Sequence, residues 1–290
     1  MKIFKTGFVG ASLDEVTTWV GERSEGAKSI CVPFAGSGKD IASMVQVNPG
    51  VTIRSWDPQF LSHAVIDGIF AGDGSSNVTE KAGMRLVKGV MFETRPLKNM
   101  PDECAGWFDW VVKYGTLFDK AVLTSVTVRS TMIGRMTHWN PGDTVWDYVH
   151  RFNLARERFK EWVGLNGKFI HTMGSVYDDL PIGMRYDVCQ VDPPKVISSR
   201  DVYSKGGFAG MNHALGGPEI PEWHKGDVID RFRHVLDIDA ERFLFLYVSE
   251  VKPDFTEVRR LLQEYGTIKE EREFGHTSKI DIAWLLEKDK

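Results

Sequence analysis

The sequence predicts an α/β protein built on an open, mostly parallel sheet with helices on both faces. Two observations carry this prediction. Helical and strand segments alternate with short links from residue 13 to residue 70, and the same alternation resumes after residue 164, which is typical of such sheets. The pattern between them is different and mainly helical. We therefore expect one domain formed by residues 1–75 and 165–290, with residues 76–164 as an insertion.

The first part of the chain predicts a β-α-β-α unit preceded by a helix. Ser12 is the expected N-cap of that first helix. The predicted elements are a helix at 13–22, a strand at 29–34, a helix at 39–47, a strand at 51–56 and a helix at 59–70.

The insertion and the end of the chain are predicted from the same patterns. The insertion follows a loop of glycine and serine, and its predicted elements are a helix at 103–117, a strand at 121–128 and a helix at 143–163. The sheet then resumes with strands at 168–171, 186–191 and 242–248, a helix at 254–265 and a last strand at 280–286.

Composition limits the class of protein. With 42% hydrophobic and 26% charged residues the chain is expected to fold around a sizeable core. Its three cysteines are far apart and form no Cys-x-x-Cys pair, which favours a reducing, cytoplasmic location. No run of 18 apolar residues and no signal peptide is present, so we expect a soluble protein. The histidines lack metal-ligand spacing, and no metal site is predicted.

Charge is unevenly distributed along the chain. The formal net charge is −4, which excludes nucleic-acid binding by the whole surface but leaves room for a local basic face. Residues 120–168 contain eight basic and four acidic side chains. A solvated helix face and a nucleic-acid contact remain alternative explanations of this excess.

A glycine-containing turn follows the first predicted strand. The motif Pro-Phe-Ala-Gly-Ser-Gly at 33–38 lets the backbone approach a ligand at a helix N-terminus. A phosphate-binding P-loop needs glycine where Pro33 stands and Ser or Thr where Asp40 stands, and a dinucleotide fingerprint needs glycine where Ile41 stands. The remaining interpretation is the nucleoside pocket of an enzyme that uses S-adenosylmethionine (SAM).

An acid at the end of the second strand is consistent with a nucleoside. Asp57 lies 19 residues after Gly38, the spacing at which a carboxylate reaches ribose hydroxyls. The alternative is that Asp57 caps the helix that begins after Pro58. The spacing itself does not distinguish NAD from SAM.

A second unusual loop follows the strand at 186–191. Asp192 is followed by Pro193 and Pro194, which fix the backbone and remove two N–H donors. The Asp192 carboxylate and the Pro193 carbonyl then form a rigid pair of acceptors suited to an amino group. Such a pair orients the lone pair of an exocyclic amine toward an incoming methyl group. The alternative is a turn that only ends the strand.

These motifs in this order resemble the Dam-like adenine-N6 DNA methyltransferases. The shared features are the Phe-Ala-Gly-Ser-Gly motif at 34–38, the strand-end acid, the long insertion and the Asp-Pro-Pro motif at 192–194, and the resemblance extends over most of the chain. Residues 8–12 stand where that family has a SAM-binding segment, and residues 129–135 where it contacts the target strand. The resemblance implies a Rossmann-like SAM-dependent methyltransferase sheet with an inserted, mainly helical DNA-recognition region.

The resemblance also implies a set of site residues, with SAM as cofactor and DNA as partner. The residues that stand at cofactor-binding positions are Phe8, Gly10, Pro33, Phe34, Ala35, Gly36, Gly38, Asp57, Ser175 and Asp192. Those implied to hold the flipped adenine and its amine are Asp192, Pro193, Pro194 and Lys195. The candidate DNA contacts are Arg129 and Arg135, which stand where the family has its target-strand-contacting turn, together with the basic side chains of Arg151, Arg156 and Arg158 and the ring of Tyr203.

The chain departs from the family pattern at three places. Ala11 or Ser12 replaces a lysine of the N-terminal segment, and Ser175 replaces an acid that contacts the cofactor. Lys195 stands where the family has an aromatic ring that stacks on the flipped base, a role that Tyr203 or Phe208 of the following glycine-rich loop is then expected to take. A protein that binds SAM or DNA without methylating adenine, or that modifies the base differently, is the alternative function.

Overall fold

The structure of the protein is a computed structural model, which describes residues 1–5, 13–78, 99–129, 131–132, 135–178, 181, 183–193, 207–219, 228–249, 255–276 and 279–288. Its helices are α1 (Asp14–Arg23), α2 (Lys39–Val47), α3 (Phe60–Val65, continued by a π-helical turn, Ile66–Phe70), α4 (Asp102–Tyr114), α5 (Leu117–Arg129), α6 (Val145–Lys160), α7 (Gly207–Ala214), α8 (Val228–Leu236) and α9 (Phe255–Tyr265). Its strands are β1 (Ser29–Val32), β2 (Val51–Trp56), β3 (Thr131–Met132), β4 (Arg135–Trp139), β5 (Gly167–Thr172), β6 (Tyr186–Val191), β7 (Ala240–Ser249), β8 (Gly266–His276) and β9 (Lys279–Lys288).

Seven of these strands form one sheet in the order β5-β2-β1-β6-β7-β9-β8. The first five are parallel to one another, whereas β9 runs antiparallel to both β7 and β8. The chain winds outward from β1 in one direction and from β6 in the other, so the strand order reverses between β1 and β6. This is the doubly wound, Rossmann-like arrangement, which binds ligands at the point of reversal. The predicted fold class is confirmed.

Helices cover both faces of the sheet, as the alternating side chains of its strands require. Ile30 and Val32 of β1 belong to one buried cluster together with side chains of α1, α2 and the insertion. Cys31, on the opposite face of the same strand, belongs to a second cluster with side chains of α8 and α9. The sheet is therefore the middle of three layers.

The insertion forms helices α4, α5 and α6 and the short hairpin β3–β4. Its aromatic core surrounds Tyr148, whose ring centroid lies 5.5 Å from that of Trp107 and 5.0 Å from that of Trp139. These side chains belong to the same cluster as β1 and α2. Within the described residues, the insertion thus packs onto the sheet domain through a continuous core.

One element of the insertion was predicted wrongly. The segment 121–128, expected as a strand, lies within helix α5, and its side chains are buried all round. A helix without a polar face shows no amphipathic period, so its β-branched residues resemble a buried strand. The hydroxyls of Thr124 and Thr127 each donate a hydrogen bond to the backbone carbonyl four residues earlier, at 2.7 Å, so these polar groups are paired within the helix.

The start of α5 carried a signal that identifies a helix. The Asp119 N–H donates to Thr116 Oγ1 at 3.1 Å, and the Thr116 N–H donates to Asp119 Oδ2 at 3.0 Å, which is the reciprocal arrangement of a capping box. The hairpin β3–β4, the helices α7 and α8 and the strand β8 were not predicted. Strand β8 follows α9 directly, and the glycine-rich segment expected as a loop at 205–210 enters helix α7 at Gly207.

Candidate active site

The two loops singled out by the sequence emerge side by side from the sheet. Strands β1 and β6 are hydrogen-bonded parallel neighbours, with Cys31 opposite Cys189. The loop at 33–38 follows β1, and Asp192 and Pro193 follow β6. Parallel strands end at the same edge of a sheet, so the glycine turn and the Asp-Pro segment lie next to each other at the point where the strand order reverses.

Two glycines shape the turn after β1 in different ways. Gly36 and Gly38 have φ angles of +52° and +73°, in the left-handed region that other residues rarely adopt. A Cβ on Gly38 would lie 2.9 Å from a methyl group of Val65 and 3.0 Å from the ring of Phe70, whereas a Cβ on Gly36 would meet nothing within 4 Å. Gly38 is therefore required for packing, and Gly36 borders open space.

Asp57 organises this turn from the end of β2. Its Oδ2 accepts a hydrogen bond from the Gly36 N–H at 2.8 Å, and its Oδ1 accepts one from the Gln59 N–H at 2.8 Å. The Ser62 hydroxyl donates to the Gly36 carbonyl at 2.5 Å. Asp57 thus connects the glycine turn to Gln59, which is the N-cap residue of α3, and ribose binding by Asp57 stays a prediction.

Burial makes Asp57 a weaker acid than usual. The side chain is only 5% exposed, and desolvation raises its pKa to about 6, although the hydrogen bonds from Gln59, Gly36 and Ser62 act in the opposite direction. An ionised and a protonated Asp57 are therefore both accessible near neutral pH. The site contains a titratable group at its structural centre.

The loop after β5 completes the same edge of the sheet. The Gly174 N–H donates to the Asp57 carbonyl at 3.1 Å, and the Asp57 N–H donates to the Thr172 carbonyl at 3.2 Å. Ser175 follows, and its hydroxyl accepts a hydrogen bond from the Tyr177 N–H at 3.3 Å. The Tyr177 ring lies 6.2 Å from the ring of Phe34, so Ser175 is brought to the edge that holds the glycine turn.

A buried polar link behind the loops was not predicted. Gln190 of β6, 1% exposed, donates to Asp40 Oδ2 at 3.5 Å, and the Thr17 hydroxyl donates to Asp40 Oδ1 at 2.7 Å. It joins the first turn of α2 to the strand that leads to Asp192. An acid in the first turn of a helix is a common sequence feature and did not indicate this partner.

Several predicted site residues lie outside the described residues, and others are described only in part. Those outside are Phe8, Gly10, Ala11, Ser12, Pro194, Lys195 and Tyr203. Pro33, Ala35 and Pro193 are buried, while Phe34 and Asp192 are half-buried. Their roles in binding stay predictions.

The five arginines predicted to contact DNA differ in their surroundings. Arg151 forms an ion pair with Asp143 at 2.6 Å, and Arg156 donates to the Val78 carbonyl at 2.9 Å, so both are engaged inside the insertion. Arg158 of α6 is exposed. Arg129 ends α5 and Arg135 begins β4, which places both at the hairpin. The ion pair raises the pKa of Arg151 above its ordinary value.

Helix α7 brings a further residue to this region. Asn212, buried on α7, accepts a hydrogen bond from the Phe60 N–H at the start of α3, at 2.6 Å. The two residues are 152 positions apart, and no local sequence signal indicated the contact.

In the part of the chain that the structure describes, no group of three or more His, Cys, Asp or Glu side chains is arranged to hold a metal ion. Nor is any described helix long and apolar enough to cross a membrane.

Fold and site together define an α/β protein with a Rossmann-like sheet and a candidate ligand edge between β1 and β6. No protein family and no curated protein matches the sequence. Among solved structures, the chain is similar to magnesium protoporphyrin IX methyltransferase from Synechocystis PCC 6803 with bound SAH, at 8% identity, covering 95% of this chain and 81% of that one, with a TM-score of 0.39. A SAM-dependent O-methyltransferase from Thermotoga maritima is also similar, at 8% identity, 98% and 69% coverage and a TM-score of 0.41. Overlaps this weak assign no activity.

Proposed function

We propose that the chain is a SAM-dependent methyltransferase that transfers a methyl group to the exocyclic N6 amine of an adenine flipped out of DNA. The observation that carries the proposal is the pairing of β1 with β6, which sets the glycine turn beside Asp192 and Pro193. A cofactor loop and an acceptor pair for an amine are both needed for this reaction, and the proposal assigns them to the loops that follow these two neighbouring strands.

The glycine turn fits the cofactor. Open space beside Gly36 leaves room for a ligand that a side chain there would displace. Helix α2 begins directly after the turn, at Lys39, and its N-cap residue is Gly38. A helix N-terminus of this kind favours a carboxylate such as that of a methionyl group. Asp57 supports the turn from inside, since both of its oxygens accept backbone hydrogen bonds.

The acceptor pair, Asp192 and the Pro193 carbonyl, would bind and orient the amine. When bound, SAM supplies an electrophilic methyl group. The Asp192 carboxylate and the Pro193 carbonyl would each accept a hydrogen bond from the exocyclic amine, which fixes its lone pair toward the cofactor side of the site. Proline at 193 restricts the backbone that carries both acceptors. Cytosine N4 presents the same two N–H groups, so it is the close variant of the proposed target.

The insertion is the proposed DNA-contacting region. The basic excess between residues 120 and 168, most of which belongs to the insertion, suits the phosphate backbone, in a chain whose overall charge is negative. Arg158 is exposed, and Arg129 and Arg135 flank the hairpin. Arg151 and Arg156 have structural partners within the insertion, so we assign a phosphate contact to the exposed Arg158, and to Arg129 and Arg135 by their position at the hairpin alone.

The direct test is incorporation of labelled methyl groups. Purified protein is incubated with adenine-rich duplex DNA and methyl-labelled SAM, and the DNA is digested to nucleosides. We expect label in N6-methyladenine. Label in N4-methylcytosine would mean that the target base is cytosine and not adenine. The absence of label from every nucleoside would contradict methyl transfer to DNA.

One observation favours a second candidate function, a SAM-binding or DNA-binding protein without adenine methylation. Lys195 stands where the resembling family has a ring that stacks on the flipped base, so that contact to adenine would be lost without loss of the cofactor loop. Measurable SAM affinity by calorimetry without any methylated nucleoside would select this function.

A further inference from the structure

The face of the sheet that carries α8 and α9 is open at its β5 edge. Arg54 of β2 is the register partner of Cys31 in β1 and of Ile170 in β5, so the three side chains point to the same face. Helix α8 covers this face at β7, where the ring centroids of Phe232 and Phe245 lie 4.7 Å apart. Ile170 is 49% exposed, so this cover does not extend to β5.

The connection from β5 to β6 leaves this edge open. Parallel strands are joined by crossover connections that usually contain a helix, but the described residues of this connection, 173–178, 181 and 183–185, form none. Met184 of the connection is 46% exposed and lies beside Arg54, whose Nη1 donates to its sulfur at 3.0 Å. Arg54, Ile170 and Met184 together are called the β5-edge patch below.

Arg54 is a half-buried cation in this patch. Its guanidinium carbon lies 5.3 Å from the centroid of the Trp56 ring, and its one described hydrogen-bond acceptor is a thioether, which accepts weakly. Its Nε is buried without a hydrogen-bond partner, and no carboxylate of the described residues forms an ion pair with it. A desolvated charge is costly unless it is paired, so the patch favours an occupant that carries a carboxylate.

The chain itself supplies an unpaired carboxylate in the same connection. Asp178 is exposed, and within the described residues its only contact is that of its N–H, which donates to the Ser175 carbonyl at 3.1 Å. In a dimer with two-fold symmetry, a residue of one copy contacts a different residue of the other, and the same contact occurs twice. Arg54 of each copy then meets Asp178 of the other, which makes this surface complementary to itself.

The remaining side chains also suit a protein interface. Arginine, methionine and aromatic residues are enriched at the centre of such interfaces, and the patch combines Arg54 and Met184 with the underlying ring of Trp56. Lys168, exposed near the start of β5, keeps its ammonium in water at the rim. Ile53, the neighbour of Arg54 on the opposite face of β2, belongs to the cluster that contains the insertion. A second copy on the patch therefore does not cover the face that carries the insertion.

We propose that the β5-edge patch and Asp178 form the interface of a homodimer, in which Arg54 of each copy forms an ion pair with Asp178 of the other. The exposed side chains of Ile170 and Met184 are buried between the two copies. The inference goes beyond the proposed function and does not depend on it.

The test is the oligomeric state of the full chain by sedimentation velocity. Wild type is measured without SAM or DNA between about 1 and 100 μM, the range in which interfaces of modest affinity associate. We expect wild type to dimerise, and Arg260→Glu, a control at an exposed position of α9, to do the same. Arg54→Glu and Asp178→Lys should each weaken the dimer by at least about tenfold, because like charges then face each other twice.

A mixture of the two variants tests the pairing itself. In a heterodimer of Arg54→Glu with Asp178→Lys both pairs again have opposite charges, so we expect an affinity within about threefold of wild type. Asp178 is exposed, so its substitution also tests the interface if Arg54→Glu disturbs β2.

Three results would overturn the inference. Wild type that stays monomeric would do so in favour of a partner with a different chain. A dimer that Asp178→Lys does not weaken, or a mixture of the two folded variants that stays monomeric, would show that this surface is not the interface. Since neither SAM nor DNA is present, each of these results leaves the proposed function unaffected.

Discussion

The two loops of the candidate site are held in different ways. The glycine turn after β1 is held by hydrogen bonds that converge on Asp57 and by tight packing of Gly38 against Val65 and Phe70. The Asp192 segment after β6 is restricted by proline. The first loop therefore depends on a titratable carboxylate and on small residues, and the second on covalent geometry. Substitutions and changes of pH should therefore affect the two loops differently.

The largest expected effect is on catalysis alone. Asp192→Ala removes one of the two proposed amine acceptors, and we expect kcat to fall by about 10³-fold, which corresponds to about 4 kcal/mol. The affinity for SAM should stay within threefold of wild type, because the glycine turn is untouched. Initial rates of methyl transfer and calorimetric titration measure the two quantities. Asp230→Ala, an exposed acid on α8, is the control, and a variant at 192 with more than a tenth of wild-type activity would contradict the assignment.

The next effect is on the packing of the glycine turn. Gly38→Ala places a Cβ against Val65 and Phe70 at a positive φ angle, and we expect the free energy of unfolding to fall by about 2–4 kcal/mol. Gly36→Ala has a positive φ angle but open space, so its cost should be about 1 kcal/mol. Urea denaturation of both variants measures the difference. Equal costs would show that the contacts of Gly38 do not matter for stability.

Two desolvated groups, Asp57 and the half-buried His171, are expected to give opposite pH dependences. The pKa of Asp57 is raised to about 6, so the folded state binds its proton more tightly than the unfolded state, and stability falls as pH rises through this range. Burial lowers the pKa of His171 to about 4, so the unfolded state binds that proton more tightly, and stability rises with pH over nearly the same range. In wild type the two dependences partly cancel.

Single substitutions should expose each dependence. Between pH 4 and 6.5, the stability of Asp57→Asn relative to wild type should rise, and that of His171→Asn should fall, each by about 1–3 kcal/mol at 1.36 kcal/mol per pKa unit. Denaturation midpoints at four pH values measure both. Parallel profiles for all three proteins would show that neither group titrates as its burial implies.

The smallest expected effect lies away from both loops. Thr144 caps α6, and its side chain accepts a hydrogen bond from the Asp147 N–H in a capping box. Thr144→Ala should lower the free energy of unfolding by about 1 kcal/mol without changing SAM affinity. Thr144→Ser retains the hydroxyl and should match wild type. A large loss of SAM affinity in Thr144→Ala would show that the glycine turn is not independent of the insertion.

The sheet and the placement of its loops could be predicted from the sequence because their signals are local. Runs of strand-forming residues followed by Asp-Pro predicted the strands at 51–56 and 186–191 with the observed bounds. Parallel strands bring their carboxyl ends together by geometry, so the proximity of the glycine turn to Asp192 followed from the order of elements. The prediction of a strand at 121–128 was wrong because a helix that is buried on all sides shows no hydrophobic periodicity, on which the prediction depends.

Contacts between distant segments could not be predicted in the same way. The hydrogen bond from Phe60 to Asn212 and that from Gln190 to Asp40 join residues far apart in sequence, and neither leaves a local pattern. The charge of Arg151 and Arg156 suggested DNA contacts, but charge does not reveal that Asp143 and the Val78 carbonyl lie within reach. A single sequence gives residue types and their spacing, whereas hydrogen-bond and ion-pair partners depend on how distant segments pack in the folded chain.

The most direct test is a calorimetric titration of SAM into wild type, Gly36→Ala and Gly26→Ala. Both glycines have positive φ angles and open space around a hypothetical Cβ, but Gly26 precedes β1 at the opposite edge of the sheet. We predict one-to-one binding by wild type and by Gly26→Ala, and at least a tenfold loss of affinity in Gly36→Ala. No binding by wild type, or equal affinity in all three proteins, would contradict a cofactor site at the glycine turn.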